Sequence, residues 1–133
     1  MAYPANYRYT KEHEWVDVNG DVATIGITDY AQHELGDVVF VELPKVGAKI
    51  EAAKTFGTVE SVKAVSDIYA PASGEVVEAN DVLHNTPEKI NTDPHGAGWL
   101  IKVRLAKPAE VGSLMDATAY EAYIASQSKE ASA

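Results

Sequence analysis

A single lysine, Lys63, sits in the stretch GTVESVKAVSDIYAPASGEVVEAN, between small and aliphatic neighbours: Ser61-Val62-Lys63-Ala64-Val65. Glu60 precedes it and Asp67 follows within a few residues. Acylation of such an amine gives a neutral amide, which removes the charge and turns the side chain into a tether. The plainer alternative is a solvated lysine guarding a strand edge. Val62, Ala64 and Val65 are poor turn formers, and no Asn-Gly or Pro-Gly accounts for a bend here, so the tip is chosen for something besides bending. The four histidines, His13, His33, His84 and His95, are the other candidates for chemistry. Their spacing matches no metal motif, and no HExxH, P-loop or GxSxG is present. His13 and His95 read as surface residues. Asp93-Pro94-His95-Gly96 reads as turn chemistry and not as a phosphate cradle, because no helix with a lysine follows it.

Composition narrows the field. The chain has 133 residues, the size of one domain, and 46% are hydrophobic, enough for one core without staples. Twenty acidic residues face eleven Lys and Arg, a net charge of -9 that phosphate backbones repel, so no nucleic-acid partner is expected. No apolar run is long enough to span a bilayer and no basic amphipathic stretch suits a lipid surface, so no membrane partner is expected either. Positively charged protein faces remain suitable partners. Cysteine is absent, which excludes disulfides, thiolate nucleophiles and Cys-ligated metals. Any sulfur chemistry must therefore be attached. MAYPANYRYTKEHEW shows neither an apolar signal core nor an Arg-rich transit pattern, so a cytosolic or already processed organellar protein is expected.

The elements that must position Lys63 are mostly strands. Glu14–Val18 and Val22–Ile27 alternate around Asn19-Gly20, a strong hairpin signal. Thr28 is placed to cap a short helix over Asp29–Leu35, closed by Gly36. Asp37–Leu43 reads as a buried strand and Lys49–Glu51 as a short one. Phe56–Glu60 and Ala64–Ala70 pair antiparallel around the lysine, and Glu75–Asn80 follows. His84–Gly98 reads as a turn-rich surface loop, and Trp99–Leu105 as the last strand. Asp116 caps a helix that places Tyr120 and Ile124 on one face, with a polar, frayed tail from Ser126 to the end. Gly36-Asp37-Val38-Val39 echoes Gly74-Glu75-Val76-Val77, a faint internal repeat. Many short strands between Gly and Pro turns predict a small sandwich or barrel.

Glu60-Ser61-Val62-Lys63-Ala64-Val65-Ser66-Asp67-Ile68-Tyr69-Ala70-Pro71, followed by Ser73-Gly74-Glu75-Val76, resembles the lipoylation segment of the glycine cleavage system H protein family. His13-Glu14-Trp15-Val16 resembles the family's N-terminal signature. Ile25–Thr28, Ala31-Gln32, Leu35–Val41 and Leu43-Pro44 resemble its middle. Asn91, Pro94, Gly98-Trp99-Leu100, Leu114, Ala119 and Tyr120 continue the likeness in order and spacing, from about Tyr9 to about Tyr123. The resemblance implies a mainly β fold, a barrel-sandwich hybrid of two antiparallel sheets with small peripheral helices and a C-terminal helix. It implies one monomeric domain over residues 1–133, with its core at about 9–123 and the tail at 126–133.

The resemblance further implies that Lys63 carries (R)-lipoate in amide linkage and that the protein is a shuttle, not an enzyme. The lipoyl arm would take an aminomethyl group from the P protein (glycine decarboxylase), pass it to the T protein (aminomethyltransferase), and be reoxidised by the L protein (dihydrolipoyl dehydrogenase). About eleven bonds from Cα to the dithiolane, at about 1.3 Å of advance each, give a reach of about 14 Å. Glu14 and Asp67 match positions near the amine of the loaded arm. Glu12 stands where the family often has a small polar residue; it is a third candidate arm contact, which would either bind the amine more tightly or point to solvent. Glu60 and Ser61 are expected to be recognised by the lipoate ligase or lipoyl transferase. Two other readings use the same scaffold. A biotinyl carrier usually shows methionine on both sides of its lysine, where this chain has Val62 and Ala64. A lipoyl relay to other lipoate-dependent enzymes would keep the arm and change the client. A bacterial cytoplasm is the expected location ahead of the mitochondrial matrix.

Overall fold

The computed structural model describes residues 3–132. Two antiparallel sheets carry the fold. The larger orders its strands β1 (Arg8–Tyr9), β2 (Glu14–Asn19), β3 (Val22–Ile27), β9 (Ile101–Leu105), β8 (Gly74–Ala79) and β5 (Lys49–Ile50). The smaller is β4 (Val38–Glu42), β6 (Thr55–Ser61) and β7 (Val65–Tyr69). The sheets do not close into a barrel, so the sandwich half of the expected architecture is the one realised. Among the described residues five helices lie around them: α1 (Asp29–Leu35), α2 (Val82–Asn85), α3 (Lys89–Thr92), α4 (Ala109–Gly112) and α5 (Ala117–Ser132).

The local signals operate as their chemistry predicts. Asn19 pairs with Val22 across the β2–β3 hairpin, and Gly20 takes the positive φ that its turn requires. The Thr28 hydroxyl accepts the Ala31 N–H at the start of α1. Gly36 ends that helix with φ 82°, where a side chain would be strained. Asp116 Oδ1 accepts the Ala119 N–H at the start of α5.

Three expectations change. His84–Gly98 is not a surface loop: α2 runs into its start and α3 folds within it, and the two helices sink Leu83 and Ile90 completely. Each helix has four residues, too few to show a 3.6-residue period, so the turn-forming residues between them dominated the sequence pattern. His95 is buried as well, its Nε2 accepting the Asp29 N–H at 3.1 Å. The tail beyond Ser126 continues α5 to Ser132, since Ala, Ser, Gln, Lys and Glu contain neither Gly nor Pro to stop a helix.

The apolar interior is divided. One cluster fills the inner face of the large sheet, with Val16, Ile25, Val76, Ile101 and Val103 at its centre. A second packs Val41, Val59 and Ile68 of the small sheet against Ile27, Leu35, Leu83, Ile90 and Leu100. A third joins Tyr9, Trp15 and Tyr120, bringing α5 onto the first strands. Trp15 lies opposite Gly26 in the β2–β3 register, and a Cβ on Gly26 would stand 2.6 Å from its indole. The ring has no room to retreat: it stacks on Tyr7 at 4.7 Å and its Nε1–H donates to the Pro94 carbonyl at 2.9 Å. Gly26→Val is therefore expected to cost about 1–3 kcal/mol by overpacking, measurable as a lower urea midpoint at unchanged slope.

Candidate functional site

Lys63 stands at the tip between β6 and β7. It is exposed, and among the described residues no carboxylate pairs with it. The tip does contain turn chemistry, in Ser61. Its N–H donates to the Ala64 carbonyl at 2.8 Å, while its Oγ accepts the N–H groups of Lys63 at 3.3 Å and Ala64 at 3.1 Å. A serine hydroxyl that satisfies the turn's own amides replaces the missing Asn-Gly. Ser61 itself is 8% exposed, with its hydroxyl engaged within the loop. The serine-turn pattern was available in the sequence at Ser61, three residues before Ala64.

A second tie fixes the loop from below. The Val62 N–H donates to the Asp37 carbonyl at 3.1 Å. Asp37 is held in turn by Asn91 of α3, whose Nδ2 donates to the Gly36 carbonyl and Gln32 Oε1 and whose Oδ1 accepts the Val38 N–H, all at 2.9 Å. The stem of Lys63 lies across Gly36: a Cβ there would be 3.4 Å from the lysine Cε. The lysine is thus presented from a braced corner where α1 ends and β4 begins.

A cleft of about 310 Å³ starts beside that corner. Glu34, Leu35, Ala31 and Tyr30 of α1 line one wall, and Ile27 and Ile68 give an apolar floor with Ser66 beside them. Glu12 and His13 close the far end. Glu12 also lines a second cavity of about 390 Å³, with Thr10, Glu14, Tyr69 and Leu114 among its walls. Glu12 is exposed and stands where the two spaces meet.

The candidate acids separate. Glu14 is 2% exposed and lines only the second cavity. Its Oε1 accepts the Thr10 hydroxyl at 2.7 Å. Burial pushes its carboxyl up to about 7, against the opposing pull of the Thr10 hydroxyl and the Tyr69 backbone N–H. Asp67 lines neither cavity; it is exposed on β7 between Ser66 and Ile68, whose side chains face the cleft. Strand alternation sends its own side chain to the opposite face. Glu60 lies on that outer face, in one cross-strand row between Phe40 and Val65. Phe40 and Val65 are both exposed, as is Val62 at 72% beside the lysine.

His13 is half-buried, contrary to its expected place on the surface. It takes a positive φ of 71°, and its Nδ1 lies 2.8 Å from the Tyr120 hydroxyl. Nothing local in the sequence signals a partner 107 residues away.

Residues 7–127 match the family model described as Glycine cleavage H-protein. The chain belongs to the glycine cleavage H-protein family. It is 65% identical over 124 residues to a glycine cleavage system H protein of Acidobacterium capsulatum, covering 93% of this chain and 95% of that one. It is 58% identical over 118 residues to the one of Phenylobacterium zucineum, covering 89% and 98%. A crystal structure of a glycine cleavage system H protein from Mycobacterium marinum superposes with a TM-score of 0.82 at 45% identity, covering 89% of this chain and 95% of that chain. As an H protein, the chain is a lipoyl carrier of the glycine cleavage system and not itself a catalyst. It works with the other components of that system.

Within the H-protein fold, Ser61→Ala removes the acceptor shared by two loop amides. The expected result is a loss of about 1–2 kcal/mol and slower lipoylation, with Lys63 itself unchanged. Denaturation and a lipoylation time course measure the two effects separately.

Proposed function

We propose that Lys63 is the lipoylated residue, with (R)-lipoate in amide linkage. On this reading the protein is a single monomeric domain that carries glycine's aminomethyl group from the P protein to the T protein and is reoxidised by the L protein. The observation that carries the assignment is an exposed, unpaired amine on a braced loop at the mouth of a cleft with an apolar floor. Lys63 would hold the group, which when attached would supply a disulfide able to take up an aminomethyl unit on one sulfur as the S–S bond is reduced, the resulting dithiol needing reoxidation after transfer.

The residues present fit that group. Seven residues of α1 run about 10 Å along the cleft wall, within the reach of a lipoyl-lysine that starts over Gly36. Ile27, Leu35 and Ile68 offer an apolar bed to the hydrocarbon part of the arm, and the wall excludes water from one side. Glu12, at the junction of the two cavities, is placed to meet an ammonium at the far end. Glu14 is placed to meet it from the second cavity. Asp67, on the outer face, meets the arm only before it enters the cleft. Glu60, flanked by exposed Phe40 and Val65, is the acid a lipoate ligase or lipoyl transferase would read beside the lysine. Bacterial relatives support a cytoplasmic location, and no described helix is long and apolar enough to cross a membrane.

Co-expression with a lipoate ligase, and separately with a biotin ligase, tests the assignment by intact mass. One lipoyl amide and no biotin is the expected result. Biotin acceptance, or a chain that stays unmodified with an active lipoate ligase, would overturn it. Mixing the lipoylated chain with the decarboxylase is expected to support release of carbon dioxide from glycine, which the unmodified chain does not.

A further inference from the structure

Thr28, Tyr120 and His13 form one continuous hydrogen-bonded chain. Thr28 Oγ1 and the Tyr120 hydroxyl are 2.6 Å apart, and the Tyr120 hydroxyl and His13 Nδ1 are 2.8 Å apart. The direction of the protons follows from counting donors. Thr28 Oγ1 already accepts the Ala31 N–H, so its own proton is free to be donated, and among the described residues Tyr120 is the partner that can receive it. Tyr120 then holds the acceptor role toward Thr28 and donates its own proton onward, to His13 Nδ1. The reverse direction would leave the Thr28 proton, on a fully buried side chain, without an acceptor.

From this we infer that Thr28 and Tyr120 hold His13 in the Nε2–H tautomer, so that the imidazole meets the cleft as a hydrogen-bond donor and not as a base. The inference rests on the carrier reading above for its consequence, though not for the tautomer. The ring has little freedom to escape the arrangement. It is tilted against Tyr30 at 4.7 Å and Tyr123 at 5.9 Å, and its backbone carbonyl accepts the Thr28 N–H at 3.0 Å. Burial lowers its affinity for a second proton, against the pull of Glu12 and Glu34, so the ring stays neutral.

The consequence concerns cargo. A primary amine joined through one carbon to sulfur survives in water while its nitrogen is protonated. Once the nitrogen lone pair is free, it can form a C=N bond as the C–S bond breaks, with that bonding pair leaving on sulfur; water then adds to the carbon, giving formaldehyde and ammonia. A base at the end of the cleft would promote that loss by taking the ammonium proton. His13 sits at that end, and its one basic nitrogen is occupied by Tyr120. Glu12 and Glu34 are left as the carboxylates that line the cleft beside it, with Glu14 beyond Glu12 in the second cavity. Tyr120 is thus a positioning residue that acts through His13, and α5 supplies it from the far end of the chain.

Side-chain 15N spectra of His13, recorded with and without the lipoyl group, test the tautomer. The expected signature is a protonated Nε2 and an unprotonated Nδ1; a protonated Nδ1 in the wild-type chain overturns the inference. Tyr120→Phe keeps the ring stack on Tyr9 at 4.8 Å and removes only the hydroxyl. In that variant the tautomers are expected to mix, and lipoylated protein loaded from glycine should release formaldehyde about fivefold faster, the size of one lost hydrogen bond. Thr28→Ser, which keeps the hydroxyl, should match the wild type in both measurements. A mixed tautomer with an unchanged release rate would remove the protective role. A wild-type chain that cannot be loaded at all would overturn the carrier reading and the role together, leaving the tautomer result standing.

Discussion

Lys63→Arg is expected to abolish lipoylation completely and, with it, all support of glycine cleavage. Arginine keeps the positive charge and most of the length, but its guanidinium does not deprotonate at working pH and is not acylated by a ligase that activates a carboxylate for an amine. The fold should not notice. The side chain is exposed and unpaired among the described residues, so stability is expected within about 0.5 kcal/mol of the wild type. Intact mass after ligase co-expression reads the first effect, and urea denaturation the second. A lipoyl mass that persists in the variant would put the attachment on another lysine. A collapse in stability would mean that the loop is braced by Lys63 itself and not by Ser61 and Asp37.

The second large effect belongs to Glu14 and depends on pH. Its carboxyl has an ordinary value of 4.5 and is raised to about 7 in the folded protein, chiefly by burial. Between those values the native chain keeps a proton that the unfolded chain has released. Stability must then fall as pH rises through this window, with the full loss reached above about pH 7 and none below about pH 4.5. The expected loss is about 3 kcal/mol, from 1.36 kcal/mol for each unit of displacement. His13 and His95 have lowered values and slope the other way, losing stability as pH falls below 6.5. The comparison with Glu14→Gln therefore isolates the carboxyl. The difference between wild type and variant should change by about 3 kcal/mol from pH 4.5 to pH 8. A difference that stays flat across the window would show that Glu14 ionises as an ordinary surface acid. The same burial has a functional side. An unpaired carboxylate is costly in that cavity, so an arriving ammonium recovers part of that cost, and loading is expected to favour the ionised form.

Much of this molecule is local and was therefore readable in order along the chain. Asn19-Gly20, Thr28 and Gly36 act through hydrogen bonds and dihedrals within a few residues, so the hairpin and the first helix followed directly. The collinear set from His13-Glu14-Trp15 to Tyr120 likewise identified the family without any coordinates. Two failures came from short elements. Four-residue helices show no periodicity, so α2 and α3 were hidden inside a stretch rich in turn residues. At the lysine tip, a side-chain hydroxyl took the part that Asn-Gly plays elsewhere.

The amino-acid sequence alone determined what kind of carrier this is and singled out Lys63 as the proposed point of attachment, because an acylation site is recognised through contiguous residues on a protruding turn. Only the tertiary structure decided which acids line the cavities beside Lys63. Strand alternation turned Asp67 outward, and packing against Thr10 and Tyr69 buried Glu14. The tertiary structure also brought Tyr120 to His13 across 107 residues. Burial and long-range hydrogen bonding are properties of the folded chain, and no local pattern encodes them.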